Sequence, residues 1–464
     1  MLKFATFNLF MGASTAILLS ACATAPVKQS DLPAPPAAFA GPQAAATTPA
    51  PASGQWWLVF HDDALDGLMA RAMSANNDVA LASAHLEQAR ALLGSARSDL
   101  WPQLGVSYSP SRSTYLQPPG KAANVQTVSA DLSYEVDLFG RLNRAAKAAD
   151  YDARASAALL QDAQLLIQSR VAESYFALRA LDEDRAIVAD TLSAYRQSLA
   201  VTQHRYDEGD VAELDLARMK TEVASTEAAA AALDQQRAEA LHALAVLVGA
   251  PPSGFDVEAQ RWAQQPWAGA VPAVPAGLPS DVLNRRPDLI AAEANLNAAA
   301  QRVGVAKAAW LPSLSLTAEG GYASPKTASL FDPASATFSL AAALSQAVFD
   351  GGARKTNIDY AKGGLDAAFA SYRQNALVAV QEVEDSLSDL DYLRRQEQSE
   401  TDAVASASRA YDLSQTRYRE GSSSQLEVLD AERSFLSIRR EALRVRAAQY
   451  QASIALIRAI GGGW

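Results

Sequence analysis

Val128-Ser129-Ala130-Asp131-Leu132-Ser133-Tyr134-Glu135-Val136-Asp137-Leu138-Phe139-Gly140-Arg141 reads as a strand that ends where a helix begins. Val128, Ala130, Leu132, Tyr134, Val136 and Leu138 alternate with Ser129, Asp131, Ser133, Glu135 and Asp137, so a pleated strand sorts apolar groups to one face and polar, partly acidic groups to the other. The pattern suits a wall between lipid and water, with Ser129, Asp131, Ser133, Glu135 and Asp137 turned toward a lumen. It also describes a soluble sheet with one wet face. The residues beyond the strand favour the wall: Gly140 to Tyr206 contains no proline, and a helix of that span extends on the order of 100 Å.

Working outward, the same landmarks return. Leu100-Trp101-Pro102-Gln103-Leu104 recurs as Trp310-Leu311-Pro312-Ser313-Leu314, and Phe139 as Phe349, 210 positions on. Arg205-Tyr206-Asp207-Glu208-Gly209 recurs as Arg417-Tyr418-Arg419-Glu420-Gly421, with the glycines 212 positions apart. Three landmarks in one order indicate an internal duplication. The first copy predicts helices over 62–98, 141–207 and 212–248 and strands over 103–116 and 124–138. The second predicts helices over 284–309, 352–419 and 424–460 and strands over 312–323 and 335–348. Leu104, Val106 and Tyr108 alternate with Gln103, Ser107 and Ser109. Leu314, Leu316 and Ala318 alternate with Ser313, Ser315, Thr317 and Glu319 in the same way. Gly249-Ala250-Pro251-Pro252 stops the first copy, and a Pro-rich connector joins it to the second.

Four strands cannot close a barrel, and an open edge in lipid leaves backbone groups unpaired at several kcal/mol each. Neighbouring copies must complete it. Two copies supply eight strands and three supply twelve, a choice the strand pattern leaves open.

The amino terminus has a different composition. Met1-Leu2-Lys3 leads into an apolar run ending Leu19-Ser20-Ala21-Cys22, the layout of a secretory signal. Its end resembles the bacterial lipoprotein box, which implies cleavage before Cys22 and a covalent lipid on it. Cys22 is the sole cysteine of the 464 residues, so no intramolecular disulfide forms. The chain thus divides into a signal peptide 1–21, a lipidated Pro/Ala/Thr-rich tether 22–55, a first repeat 56–250, a connector 251–283 and a second repeat 284–464. No stretch after Cys22 is apolar enough for a spanning helix.

Forty Lys and Arg against 51 Asp and Glu give a formal charge of -11, which argues against a nucleic-acid partner. His61, His85, His204 and His242 are scattered and no phosphate-binding glycine loop occurs. An enzyme therefore lacks candidates, and no metal or cofactor is expected beyond the lipid on Cys22. The other rival is a non-pore periplasmic helical scaffold lipoprotein, which shares the signal, tether and long helices.

Tyr134-Glu135-Val136-Asp137-Leu138-Phe139-Gly140-Arg141 resembles the strand-to-helix junction of the outer membrane factor family, the TolC-like channels, and in particular its OprM/NodT-type lipoprotein branch. Phe349-Asp350-Gly351-Gly352, Leu283-Asn284-Arg285-Arg286-Pro287-Asp288 and the terminal Ala459-Ile460-Gly461-Gly462-Gly463-Trp464 are similar to further motifs of that branch. The resemblance covers nearly everything after the tether. It implies a mainly α fold with a membrane β-barrel: a homotrimer with a twelve-stranded barrel in the outer membrane and a twelve-helix barrel in the periplasm. It further implies a passive exit duct of a tripartite efflux system, served by a periplasmic adaptor (membrane fusion protein) and, through it, an inner-membrane RND-type pump. The turns Glu208-Gly209-Asp210 and Glu420-Gly421-Ser422 would then be adaptor-docking tips. Tyr418, Glu427 and Asp430, with Asp215 as first-copy counterpart of Glu427, match the family's periplasmic gate. Ser423 stands where one branch carries Arg, a departure that bears on any ion-pair lock there.

Overall fold

The computed structural model describes residues 38–40, 54–113, 123–262, 271–277 and 279–463. Cys22, the signal, nearly all of the tether, positions 114–116 of the first expected strand and part of the connector lie outside the described residues.

The duplication is visible in element lengths. After a 3-10 turn at Trp56–Phe60 come α1 (Asp63–Ala75), α2 (Asn77–Ser98), β1 (Gln103–Ser113), β2 (Ala123–Val136), α3 (Arg141–Asp207) and α4 (Glu213–Leu247). The second copy has α5 (Pro279–Arg285), α6 (Pro287–Ala308), β3 (Ser313–Ser324), β4 (Ala336–Ser345), α7 (Ala353–Arg419) and α8 (Gln425–Ala459). α2 and α6 each have 22 residues, α3 and α7 each 67, and α4 and α8 each 35.

Two expected helices differ from the sequence reading. The span 62–98 is broken at Asn76, which adopts an extended conformation and whose side-chain oxygen accepts from Asp78 N at 2.8 Å and Val79 N at 3.2 Å. It is the N-cap of α2, satisfying amides that a continuous helix would have paired internally. The span 284–309 breaks at Arg286, because Pro287 has no N–H and is suited to begin a helix.

The strands form one antiparallel sheet in the order β1-β2-β3-β4. Residues facing each other across an antiparallel ladder share a face. Leu104 opposes Leu132, which opposes Ala318, which opposes Leu340. One residue along, Gly105, Asp131, Glu319 and Ser339 form the next row, on the other face. Gly321 in β3 lies so close to β2 that a Cβ there would stand 2.1 Å from the Val128 carbonyl oxygen.

By internal contacts the chain forms two units. One comprises residues 84–158 and 290–375 and contains the sheet. Within it Arg302 pairs with Asp152 at 2.5 Å and Arg97 with Asp150 at 3.1 Å, fixing α6 and α2 to the start of α3. The other comprises 35–83, 159–289 and 376–464. Its core is aromatic: Phe176 stacks on Tyr450 with ring centres 4.7 Å apart, beside Phe60, Trp56 and Trp262. Tyr175 donates to Asp62 at 2.5 Å, so the acid that caps α1 also ties it to α3.

Candidate functional site

The sheet carries the first candidate surface. On one face Leu104, Val106, Phe338, Leu340 and Leu344 are exposed, Leu104 by 72% and Phe338 by 78%. Such an apolar sheet face, uncovered among the described residues, is what contact with hydrocarbon requires, and monomeric soluble proteins rarely show a patch of that kind. On the opposite face Ser129 is buried and lies 3.1 Å from the Ser107 hydroxyl, and both bond Asp131. Asp131 and Glu319 are cross-strand neighbours. Ser133 opposes Gln103 and Thr317, and Glu135 opposes Ser315, so both belong to this polar face.

Asp137, expected on the strand with these residues, lies one position beyond β2 and needs correction. Its carboxylate accepts from Leu142 N at 3.1 Å and Asn143 N at 2.9 Å, which makes it a helix cap for α3. Burial pushes its carboxyl up, but the Asn143, Leu142 and Arg141 N–H groups outweigh that and hold it below the usual aspartate range. Arg141 in turn donates to both oxygens of Glu135 at 2.8 Å, so Glu135 is a paired acid.

The two helical turns form the second candidate surface, and their geometry is nearly duplicated. Gly209 and Gly421 have φ of +82° and +73°. Asp210 N donates to the Arg205 carbonyl and Ser422 N to the Arg417 carbonyl, both at 2.8 Å. These are Schellman closures, in which a left-handed glycine lets the chain fold back on the last helical carbonyls. Glu208, Gly209, Asp210, Glu420, Gly421 and Ser422 are all exposed.

Behind the turns, the first hairpin (α3–α4) is bonded to the second (α7–α8). Arg205 donates to the Tyr418 hydroxyl at 2.8 Å, Gln425 to the Thr202 hydroxyl at 2.8 Å, and Arg433 pairs with Glu222. The expected gate residues are distributed around these bonds. Tyr418 takes part directly; Asp430 is exposed and 3.6 Å from Arg433; Asp215 is 3.7 Å from Arg218. Glu427 is exposed, with its backbone N–H capped by Ser424 at 3.4 Å. No hydrogen bond joins Tyr418, Glu427 and Asp430 to one another among the described residues. Sequence reasoning missed Arg205, Glu222, Gln425 and Arg433. The repeated Arg-Tyr pair was the available signal, since the arginine of one copy bonds the tyrosine of the other.

Comparison with known proteins gives a consistent result. The sequence profile described as outer membrane efflux protein matches residues 68–250 and again 278–462, once per copy of the repeat. The chain is 31% identical to the probable efflux pump outer membrane protein TtgC of Pseudomonas putida, over 99% of this chain and 96% of that one. It is 32% identical to the pyoverdine export outer membrane protein OpmQ of Pseudomonas aeruginosa, covering 97% and 96%. Among solved structures it superposes on the outer-membrane channel OprN with a TM-score of 0.84 and 29% identity, over 93% of this chain and 99% of that one.

Proposed function

Because the chain belongs to the outer membrane efflux protein family, whose members are ducts of efflux systems, we propose that three copies associate into one outer-membrane channel. Its fold is that of the TolC-like channels, and it acts as the outer-membrane component of an efflux system. The observation that carries the multi-copy reading is the four-stranded sheet, while membership of the family supports three copies rather than two. The sheet has an exposed apolar face, a polar face, and outer strands β1 and β4 with one ladder partner each among the described residues. Backbone groups on such edges find partners in hydrocarbon only if the sheet closes on other copies. In that arrangement three sheets form a twelve-stranded wall, with Ser129, Asp131, Ser133 and Glu135 toward the lumen. A duct of this kind performs no chemistry; polar walls let hydrated solutes pass.

The finer assignments belong to the same proposal. Cys22 carries the covalent lipid that anchors the tether in the outer membrane. The tips around Gly209 and Gly421 receive a periplasmic adaptor, which connects the duct to an inner-membrane RND-type pump. Tyr418, Glu427, Asp430 and Asp215 belong to a gate at this periplasmic end, where rings of Glu427 and Asp430 favour cations. Arg205 and Arg433 support the gate by holding the second hairpin to the first. A non-pore scaffold leaves the exposed Leu104, Phe338 and Leu340 face without purpose.

Single-channel recording of purified, detergent-extracted protein tests the reading. Stepwise conductance from an SDS-resistant trimer that fractionates with outer membranes is the expected result. A water-soluble monomer that forms no pore overturns it. At the gate, Glu427→Ala combined with Asp430→Ala lowers cation preference and widens conductance; unchanged values exclude these acids. Cys22→Ser abolishes acyl labelling, and persistent labelling excludes the lipid assignment.

A further inference from the structure

Near the start of α8, Glu432 is buried to 8% exposure. Four helices meet in this region. α3 supplies Tyr195, whose buried hydroxyl has no hydrogen-bond partner. α4 supplies Glu222, and α7 supplies Tyr411, which bonds Glu432 and accepts from Gln415 at 2.6 Å, with Asp412 adjacent. α8 adds Arg433 and Asp430. Met219, Val223 and Leu429 pack around Tyr195. The cation of this cluster, Arg433, is already engaged by Glu222 and Asp430. Among the described residues no cation pairs with Glu432. A carboxylate in that position loses its hydration without a compensating charge, so the packed arrangement favours the neutral acid.

We propose that Glu432 is a proton-operated latch of the periplasmic end: neutral, it lets α8 pack against α3 and α7; ionised, it loosens the bonds between the two hairpins. This rests on the gate reading above and names its regulation. An ionised Glu432 competes for Arg433, which bridges α8 to α4, and for the idle Tyr195 hydroxyl. Burial pushes the Glu432 carboxyl up to about 7, with the Tyr411 hydrogen bond pulling the other way. The packed state therefore holds the proton more tightly than a loosened state near the ordinary value of 4.5. Its contribution to packing is complete below that value, declines as pH rises toward 7, and stays lost above. Tyr195 and Tyr411 are themselves pushed up to about 12 by burial and do not titrate in this window.

The test uses the purified full chain in detergent. Hydrogen exchange of peptides around 195, 222, 411 and 432, corrected for the intrinsic rate, is followed between about pH 5 and about pH 8. Single-channel recordings cover the same range. The wild type should lose protection several-fold on going up and open more often. Glu432→Gln should stay protected and closed throughout. Tyr411→Phe removes the bond that favours the ionised form, so its midpoint should move to higher pH, which keeps the test decisive if Glu432→Gln folds poorly. A wild type without pH response overturns the latch, as does an unchanged response in Glu432→Gln or an unmoved midpoint in Tyr411→Phe. If exchange responds but no pore forms, the channel reading fails and the latch survives as a packing switch. A pore indifferent to pH fails the latch alone.

Discussion

The two copies of the repeat solve one local problem with different chemistry. In the first, Asn76 stands at the break before α2 and its amide donates to the Leu247 carbonyl at the end of α4, at 2.8 Å. In the second, Arg286 stands at the break before α6 and its guanidinium donates to the Ala459 carbonyl at the end of α8, at 3.1 Å. Each helix end is followed by a left-handed glycine, Gly249 or Gly461, lying against the carbonyl of Ala75 or Arg285. Duplication preserved the geometry while the side chains diverged. Asn76 is a neutral cap. Arg286 also pairs with Glu382 at 2.5 Å and Asp288 at 2.8 Å, so it ties α6 to α7 and α8. The position matching Glu382 in the first copy is Arg170, which offers a cation at position 76 no acid to pair with. What the carbonyl needs is a donor, and neighbouring charge decides whether that donor is an amide or a guanidinium.

The contrast is most severe at the glycines. A Cβ on Gly249 would stand 2.3 Å from the Ala75 carbonyl oxygen, whereas one on Gly461 would stand 3.1 Å from that of Arg285. Backbone cannot retreat as a flexible side chain does. Adding the left-handed penalty of about 1–2 kcal/mol to an overpacking cost of about 1–3 kcal/mol, Gly249→Ala should destabilise its helix junction by roughly 2–5 kcal/mol. Gly461→Ala should remain nearer the lower end. Local hydrogen exchange at 70–80 and 244–250, compared with 282–290 and 456–462, measures both. Equal losses would mean that the first copy is no more tightly closed than the second.

At the donors the expected order favours the second copy. Arg286→Ala leaves Asp288 and the Ala459 carbonyl without this partner, and leaves Glu382 only Arg458 at 3.7 Å. Removing one member of a buried pair typically costs about 3–5 kcal/mol, and because Glu382 and Asp288 are each about a third exposed, roughly 2–4 kcal/mol is expected. Asn76→Ala loses a cap and one bond, about 1–2 kcal/mol. Arg286→Asn sharpens the test: it restores the first copy's donor but not the cation, and should recover only part of the loss. Full recovery would make the ion pairs incidental.

These constellations mark where sequence reading stopped. The first three strands were legible because Leu104, Leu132 and Leu316 alternate with polar neighbours, the fourth less so because Ala341 and Ala343 dilute its polar face, and the long helices because no proline interrupts 141–207. Gly209 and Gly421 announced their turns. Asn76 did not announce a break, because an asparagine inside a helical pattern has no local sign distinguishing a cap from a surface residue. Arg205 with Tyr418, Arg433 with Glu222, and Arg286 with Glu382 were invisible for a related reason. Spacing along a chain predicts neighbours on one element, while these bonds depend on which distant helices meet.

The strand-to-helix junctions give the smallest contrast. Phe139 and Phe349 correspond, yet the capping acid comes before the first and after the second. Asp137 accepts from Leu142 N and Asn143 N, while Asp350 accepts from Gly352 N at 3.0 Å and Arg354 N at 3.1 Å and binds the Arg354 side chain. The second junction accommodates the shift with two left-handed glycines, Gly351 and Gly352, where the first has Gly140 alone. Asp137→Ala should therefore cost about 0.5–2 kcal/mol of local stability at the start of α3. Asp350→Ala should fray α7 in the same direction and also free Arg354 from its place over the Trp310 ring. Hydrogen bonds hold both carboxyls below the usual aspartate value of 3.8. Each contribution is accordingly complete above that value and is lost as pH falls through the lower folded one. Exchange at 141–146 and 353–358 should then be flat from neutrality down to about pH 4 and rise below it. Fraying that begins near neutrality would show that some other group controls these helix starts.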